Sequence, residues 1–266
     1  KLSIRGPDDV KSFTNKGELF VFARLAITDL HIRSMQPLRS EYFKHLSILF
    51  NGEIYNFKSI KKVLEKKGIN FITNSDTEVV VNAVGFYGLE KALSLLNGMF
   101  AFIIFNSKNN EIIGARDPMG QKPLYYYNQN QKFILSSDIK CISIASGSYV
   151  NQDFYNLYTR ASNEVGTRGL MPPNKTFFEK IYSVPAGSYF IKNANGIRIK
   201  KYFFIKDVLN SKKVYTSEID FSRTLTEEIL SHSISDKKGL AVSFSGGVDS
   251  TLIALTLFKH GINFTP

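Results

Sequence analysis

An α+β layered domain followed by the opening of an α/β domain is the fold class that this 266-residue sequence predicts. Three observations carry it. From Leu19 to about Ala145, short apolar runs separated by hairpin-type residues alternate with two helical patterns. From about Val150 to Ser217 the periodicity gives way to Pro- and Gly-containing stretches. Finally, the apolar run at Leu240 meets Ser245-Gly-Gly-Val-Asp-Ser250 and then a further periodic apolar segment, the order strand, loop, helix.

The runs Leu19 to Ala26, Leu46 to Phe50, Met99 to Phe105, Leu124 to Tyr127 and Phe133 to Leu135 read as strands. Their turns carry Asn51-Gly52, Asn97-Gly98, Ser107 to Asn110 and Asn128 to Asn130, residue types that tolerate tight or left-handed backbone, so hairpins and an antiparallel sheet are expected. Helices are expected over Phe57 to Lys67, with Asn56 as N-cap, and over Thr77 to Phe86 after Ser75-Asp76. Met171-Pro-Pro-Asn174, Val184-Pro-Ala-Gly187 and Asn193-Ala-Asn-Gly196 mark a structured connection with one hairpin. A helix is then expected from about Glu218 to His232, with Phe221, Leu225 and Ile229 along one face. Gly261 to Pro266 reads as a turn and the start of another strand. The expected units are 1–150, a connection over 151–216, and 217–266. Because one strand, one loop and one helix do not make a parallel sheet, the last unit is expected to be incomplete and the chain a fragment.

Composition narrows the class. Hydrophobic residues make up 43%, with 22 Phe and 13 Tyr, enough for a core in each of two domains. The net charge of +11 raises nucleic acid as a partner, but the lysines are scattered. The densest group, Lys58, Lys61, Lys62, Lys66 and Lys67, alternates with Ile60, Val63 and Leu64 and reads as the solvated face of a helix. Neither nucleic acid nor membrane is therefore expected as a partner. The single cysteine, Cys141, excludes an internal disulfide framework, and the first residues have the pattern of neither a signal nor a transit peptide, so a cytoplasmic setting is expected.

Two stretches carry chemistry. In the loop Ser245 to Ser250, glycines and hydroxyl residues before a helix start can turn backbone N–H groups toward an anion, so Ser245, Gly246, Gly247, Asp249 and Ser250 are candidate phosphate-binding residues. The loop has neither the Gly-Lys-Ser/Thr of a P-loop nor a G-x-G-x-x-G fingerprint; it matches the pyrophosphate loop of enzymes that adenylate a substrate with ATP. Elsewhere, Asn51-Gly52-Glu53 after an apolar strand, Asp76 after the next helix and Arg24 at the end of a strand suit an α-amino acid. Arginine pairs with its carboxylate, carboxylates with its ammonium group, and an amide with a backbone N–H stabilises an oxyanion. On spacing alone the alternatives stay open: Asn-Gly is usually a turn, and Arg24 and Asp76 a surface charge and a cap.

Arg5-Gly-Pro-Asp8, Ala23-Arg-Leu-Ala-Ile-Thr-Asp29, Phe50-Asn-Gly-Glu-Ile-Tyr-Asn56, Ser75-Asp-Thr-Glu78, Asn97-Gly-Met-Phe-Ala-Phe102, Ala115-Arg-Asp-Pro-Met-Gly-Gln-Lys-Pro-Leu-Tyr-Tyr126 and Ser136-Ser-Asp-Ile-Lys140 together resemble, in order, the glutaminase domain of glutamine-dependent asparagine synthetases. Phe177 to Ile181, Val184 to Tyr189 and Lys201-Tyr-Phe203 resemble that family's crossover to its synthetase domain, and Ser245 to Ser250 falls where its ATP loop belongs. The resemblance implies a class II amidotransferase of the N-terminal-nucleophile type: a four-layer αββα glutaminase domain joined to an ATP pyrophosphatase-type α/β domain. It implies a ligase that takes ammonia from glutamine, adenylates aspartate with ATP, and releases asparagine, AMP and pyrophosphate. It further implies that Arg24, with backbone help near Ile27, holds the glutamine carboxylate; that Asn51 and Gly52 form the oxyanion hole; and that Glu53 and Asp76 bind the ammonium group. Ser243 joins the loop residues at the nucleotide, Mg²⁺ accompanies the pyrophosphate, and a homodimer is compatible with the family.

The sequence departs from that pattern in two places. The family's nucleophile, a cysteine at the mature N-terminus, is expected about 30 residues before Arg5, and Cys141 sits where relatives carry a small apolar residue, so packing rather than catalysis is expected of it. Ile4 stands where the family usually has histidine. The histidines His31, His45, His232 and His260 lack metal-ligand spacing and read as ordinary surface or core residues, and no metal site is expected in the chain itself. Alternative functions are a related amidotransferase acting on a sugar or another carboxylate, a glutaminase-like module kept for binding, and an adenylating tRNA-modifying enzyme.

Overall fold

The computed structural model describes residues 2–15, 18–27, 29–163, 174–210, 217–233 and 239–266. A hairpin of β1 (Asp9–Asn15) and β2 (Glu18–Arg24) opens the chain, followed by β3 (Leu38–Arg39), β4 (Leu46–Ile54), α1 (Phe57–Lys66), α2 (Asp76–Tyr87) and α3 (Leu89–Leu95). Then come β5 (Gly98–Asn106), β6 (Glu111–Arg116), β7 (Tyr125–Gln129), β8 (Lys132–Ser136), α4 (Ile139–Ser146), α5 (Gln152–Asn163), β9 (Ile181–Ser183), β10 (Ser188–Asn193) and β11 (Gly196–Lys201). The last elements are α6 (Ile205–Leu209), α7 (Glu218–Ser231), β12 (Leu240–Ala241), α8 (Val248–Lys259) and β13 (Phe264–Thr265).

Four layers follow from where the apolar residues point. The larger sheet has the order β11-β10-β6-β5-β4-β3, antiparallel throughout. In β4 the even positions Ile48, Phe50 and Ile54 are buried against Leu64 of α1 and Val80 and Val84 of α2, so α1–α3 cover one face. The other face meets a second sheet, β8-β7-β9, through Ala101, Leu124 and Phe190, with Ile103, Phe133 and Leu135 beside them. That second sheet is backed by α4, whose Ile142 is fully buried with Tyr127 and Ile181. Helix, sheet, sheet, helix is the layering expected of the glutaminase fold. Beyond residue 203, α7 packs on α8, and β12 pairs with β13 in parallel, prolonged by Val242 N–H donating to Thr265 O at 2.8 Å.

Several expectations need correction. Asn51-Gly52 is not a turn: both residues lie inside β4, opposite Ala101 and Phe100. Glycine is required there by crowding, since a Cβ on Gly52 would stand 2.1 Å from Met99 O. Gly98, at the start of β5, is crowded in the same way by Glu53 O at 2.1 Å. Asn56 makes no side-chain cap for α1; its Nδ2 donates to Leu95 O and its Oδ1 accepts from Asn97 N–H, tying α1 to the entry of β5. The stretch expected to be a connection over 151–216 contains α5 and supplies β9 to one sheet and β10 and β11 to the other, so the boundary expected at residue 150 falls inside the layered unit. Residues 171–173 of the Met171 to Asn174 stretch lie outside the described residues.

Candidate active site

Between the sheets, under the β1–β2 hairpin, is a cavity of about 950 Å³. Arg24, Ile27, Asn51, Gly52, Glu53 and Asp76, the six residues expected to hold glutamine, all line it. The end of β2 and the loop after it, the odd face and one edge of β4, and the first turn of α2 deliver them.

Arg24 is buried, and its Nη2 donates to Asp29 O at 2.8 Å, His31 O at 3.1 Å and Ser34 Oγ at 2.6 Å. The strand end that carries it is itself fixed. Asp8 N–H donates to Arg24 O, and Ala26 N–H donates to Asp8 Oδ2 at 2.7 Å. A Cβ on Gly6 would stand 2.2 Å from Ala23 O, so Arg5-Gly-Pro-Asp8 works as a clamp on β2. Asp29, at φ +45°, accepts from Asn74 N–H through Oδ2 at 2.7 Å and so joins the Arg24 loop to the approach of α2.

The pairing of β4 sets where its edge donors point. In an antiparallel strand the N–H and C=O of one residue point the same way and alternate along the chain. Phe100 spends both groups on Asp117, through Oδ2 and N–H, so its partner Gly52 turns its N–H away from β5. Neighbours of the same parity do likewise: Phe50 N–H donates to Gln36 Oε1 at 2.6 Å and Ile54 N–H to Asp76 Oδ2 at 3.0 Å. By the same parity Gly52 N–H turns toward that edge. On the adjoining face, Asn51 Nδ2 is buried with no hydrogen-bond partner among the described residues. A buried, unpaired amide donor is costly unless something occupies the space it faces.

Asp76 and Glu53, with Glu18 of β2, are the carboxylates that line the cavity. Asp76 is buried at the N-terminus of α2, capped by Ser75, whose Oγ accepts from Thr77 N–H at 3.1 Å. Glu53 is half-buried, and burial pushes its carboxyl above the ordinary value, while Lys122 and His232 pull it back. Lys122 comes from a loop built on fully buried Asp117, whose carboxylate accepts from the N–H groups of Phe100, Met119, Gln121 and Lys122. Arg116 closes that loop onto the second sheet by donating to Lys122 O, Gly120 O, Val184 O and Ser183 Oγ. Gln36, Lys122 and Asp117 escaped sequence reasoning; an acid followed within five residues by Met119, Gly120 and Lys122 is the signature of a side-chain-capped loop and was the available signal. Cys141, expected in packing, is half-buried and also lines the cavity, from α4.

Ser243, Ser245, Gly246, Gly247, Asp249 and Ser250 are elsewhere and line no part of this cavity. The loop is exposed, Gly246 takes φ +78°, and Gly247 stands at the N-cap of α8 without a side-chain cap. Ser250 Oγ lies 3.1 Å from Ser245 Oγ and donates to Gly247 O at 3.1 Å, which draws both hydroxyls to one point before the helix. These groups suit phosphate oxygens. They do not make a Mg²⁺ site: Asp249 is the loop's one acid, and among the described residues no cluster of three or more His, Cys, Asp or Glu is placed to hold a metal ion. No described helix is long and apolar enough to cross a membrane.

A family model described as a glutamine amidotransferase domain matches residues 1–203. Asparagine synthetase [glutamine-hydrolyzing] 1 of Bacillus subtilis is 35% identical over 253 residues, covering 94% of this chain and 38% of that protein. Asparagine synthetase [glutamine-hydrolyzing] of Gallus gallus is 30% identical over 280 residues, covering 97% and 45%. Among solved structures, the glutamine phosphoribosylpyrophosphate amidotransferase of B. subtilis, complexed with ADP and GMP, superposes with a TM-score of 0.50 at 20% identity, over 92% of this chain and 50% of that one. The structure titled as the allosteric regulatory enzyme of purine biosynthesis gives 0.51 at 19%, over the same shares. The chain thus spans half or less of the length of these curated relatives.

Proposed function

This chain belongs to the glutamine amidotransferase domain family, and from that premise we propose that it serves as the glutamine-binding part, and the beginning of the ATP-binding part, of a glutamine-hydrolysing asparagine synthetase. The observation that carries the reading is the buried, unpaired Asn51 Nδ2 beside Gly52, bordering a cavity that Arg24, Glu53 and Asp76 also line. Arg24 pairs with the α-carboxylate, and Glu53 and Asp76 with the α-ammonium group. The side-chain amide carbonyl then lies toward Asn51 and Gly52, which stabilise the oxyanion that forms when a cysteine thiolate adds to it. That cysteine and its α-amino base belong to the mature N-terminus of the whole protein. Ammonia leaves as the thioester forms, and water then releases glutamate.

The second reaction uses the loop Ser245 to Ser250, with Ser243 beside it, to hold ATP phosphates at the start of α8. There the aspartate β-carboxylate attacks the α-phosphorus of ATP and pyrophosphate leaves, and ammonia then displaces AMP from the adenylate to give asparagine. Asparagine as product, and so aspartate as acceptor, is supported by the names of the relatives; a cytoplasmic setting and a homodimer complete the proposal.

Calorimetric titration tests the first half directly: glutamine binds this chain, and Arg24→Ala weakens binding by at least about tenfold, the worth of a charge-assisted pair. Absence of binding at neutral pH would overturn it. For the whole protein, glutamine, aspartate, ATP and Mg²⁺ yield AMP and pyrophosphate with asparagine; ADP and phosphate would refute adenylation. Arg24→Ala should also spare synthesis from free ammonia.

A further inference from the structure

His232 lies at the C-terminal end of α7, in the unit that carries the ATP loop, yet its ring meets Tyr55 at the end of β4, with centroids 3.8 Å apart and planes at 42°. Glu53 and Tyr55 are two residues apart on a strand whose pairing continues through Tyr55 N–H to Asn97 O, so their side chains share a face. The ring is also held from its own helix, because Nδ1 lies 2.7 Å from Glu228 O. A carbonyl only accepts, so Nδ1 is the donor in this contact. Neither His232 nor Tyr55 lines the cavity that Glu53 borders.

We infer that His232 is a positioning residue of the glutamine site: presented by α7 and seated on Tyr55, it supplies a positive charge near Glu53 that keeps this carboxylate ionised for the substrate ammonium group. The ligand in this inference rests on the glutamine reading; the contact does not. Both the helix C-terminus and the tyrosine face favour a cation at that spot. The charged and titratable groups around Glu53 are Lys122 from the loop after β6, His232 from α7, Tyr55 on its own strand, Asp76 of α2 and Arg24 of β2 across the cavity, with Asp117 next to Tyr55. Lys122 and His232 are the two that oppose the effect of burial on Glu53. His232 is the one that the second unit contributes.

Carbon-13 NMR of the Glu53 carboxyl across pH, in this chain and in His232→Ala, His232→Phe and His232→Lys, separates charge from packing. The Glu53 midpoint should rise in the Ala and Phe variants and stay near the wild-type value in the Lys variant. Glutamine affinity at pH 5 should fall by about two- to fivefold in the first two and recover in the third, the modest effect of a partly exposed pair. A Glu53 midpoint unmoved by every substitution, or rescue by Phe and not by Lys, overturns the inference. If wild-type chain binds no glutamine while the midpoint still follows residue 232, the glutamine reading fails and the electrostatic contact stands.

Discussion

At the scale of single residues, the cavity contains groups held in states that cost stability. Glu53 is the plainest. Its carboxyl is pushed up by burial, so the folded chain disfavours the ionised form. A carboxyl raised on folding adds stability below its ordinary pKa and loses that contribution as pH rises through the folded value. Glu53→Gln, neutral at every pH, should therefore raise the melting temperature at pH 7, with the gain vanishing toward about pH 4, where wild type is protonated as well. Equal melting curves at both pH values would contradict the assignment. The same variant should lose glutamine binding, which sets stability against function at one side chain. Asn51 makes a second case, because its Nδ2 has no partner to lose. Asn51→Ala should leave stability within about 1 kcal/mol of wild type, yet in the whole protein reduce the kcat of glutamine hydrolysis by about 10²- to 10³-fold with a smaller change in KM.

At the scale of elements, the pairing of β4 with β5 sets the donors, and two kinds of residue protect it. A methyl on Gly52 or Gly98 has nowhere to go but into the facing backbone, 2.1 Å away. Gly52→Ala or Gly98→Ala should cost about 3 kcal/mol or more by chemical denaturation, beyond the usual overpacking range. Asp117 holds the start of β5 and the loop after β6 through four N–H groups. Asp117→Ala strands all four and should cost about 3–5 kcal/mol, with faster amide exchange at Phe100 and Lys122 as the local sign. This is also where sequence reasoning succeeded and failed for identifiable reasons. Apolar alternation exposed β2, β4, β5, β7 and β8, and Ser75 announced α2, because those signals are local. Asn51-Gly52 looked like a turn because the glycine answers to a neighbouring strand distant in sequence. β1, with Asp9, Lys11, Ser12 and Thr14 among its residues, lacks an apolar run altogether. β6 was hidden by Gly114, whose missing side chain makes room for the Phe190 ring. The site residues themselves were legible only as a set of motifs. That Arg24 is anchored by carbonyls, and that Gly52 N–H turns away from β5 because Phe100 is committed to Asp117, depends on contacts between separate segments of the chain.

At the scale of the whole molecule, burial is unevenly shared. The three apolar clusters draw only on residues between Leu38 and Tyr202, whereas after residue 203 the buried side chains among the described residues are Val242, Thr256 and Leu257. A two-stranded parallel pair with two helices is marginal by itself, so the stability of the chain resides in the layered unit. Cutting after Phe203 should therefore leave a cooperative unfolding transition within about 5 °C of the intact chain, since little apolar area is lost. Glutamine should still bind at pH 7, because Arg24, Asn51, Gly52, Glu53 and Asp76 all remain on intact elements. The difference should appear on acidification. Without α7 there is no His232 on Tyr55, so the shortened chain should lose affinity at pH 5 to the same extent as His232→Ala, and adding that substitution to the intact chain should reproduce the truncation. Loss of folding on truncation would mean that α7 and α8 contribute core contacts beyond those of Val242 and Leu257. A shortened chain whose affinity follows wild type down to pH 5 would show instead that Lys122 alone keeps Glu53 ionised.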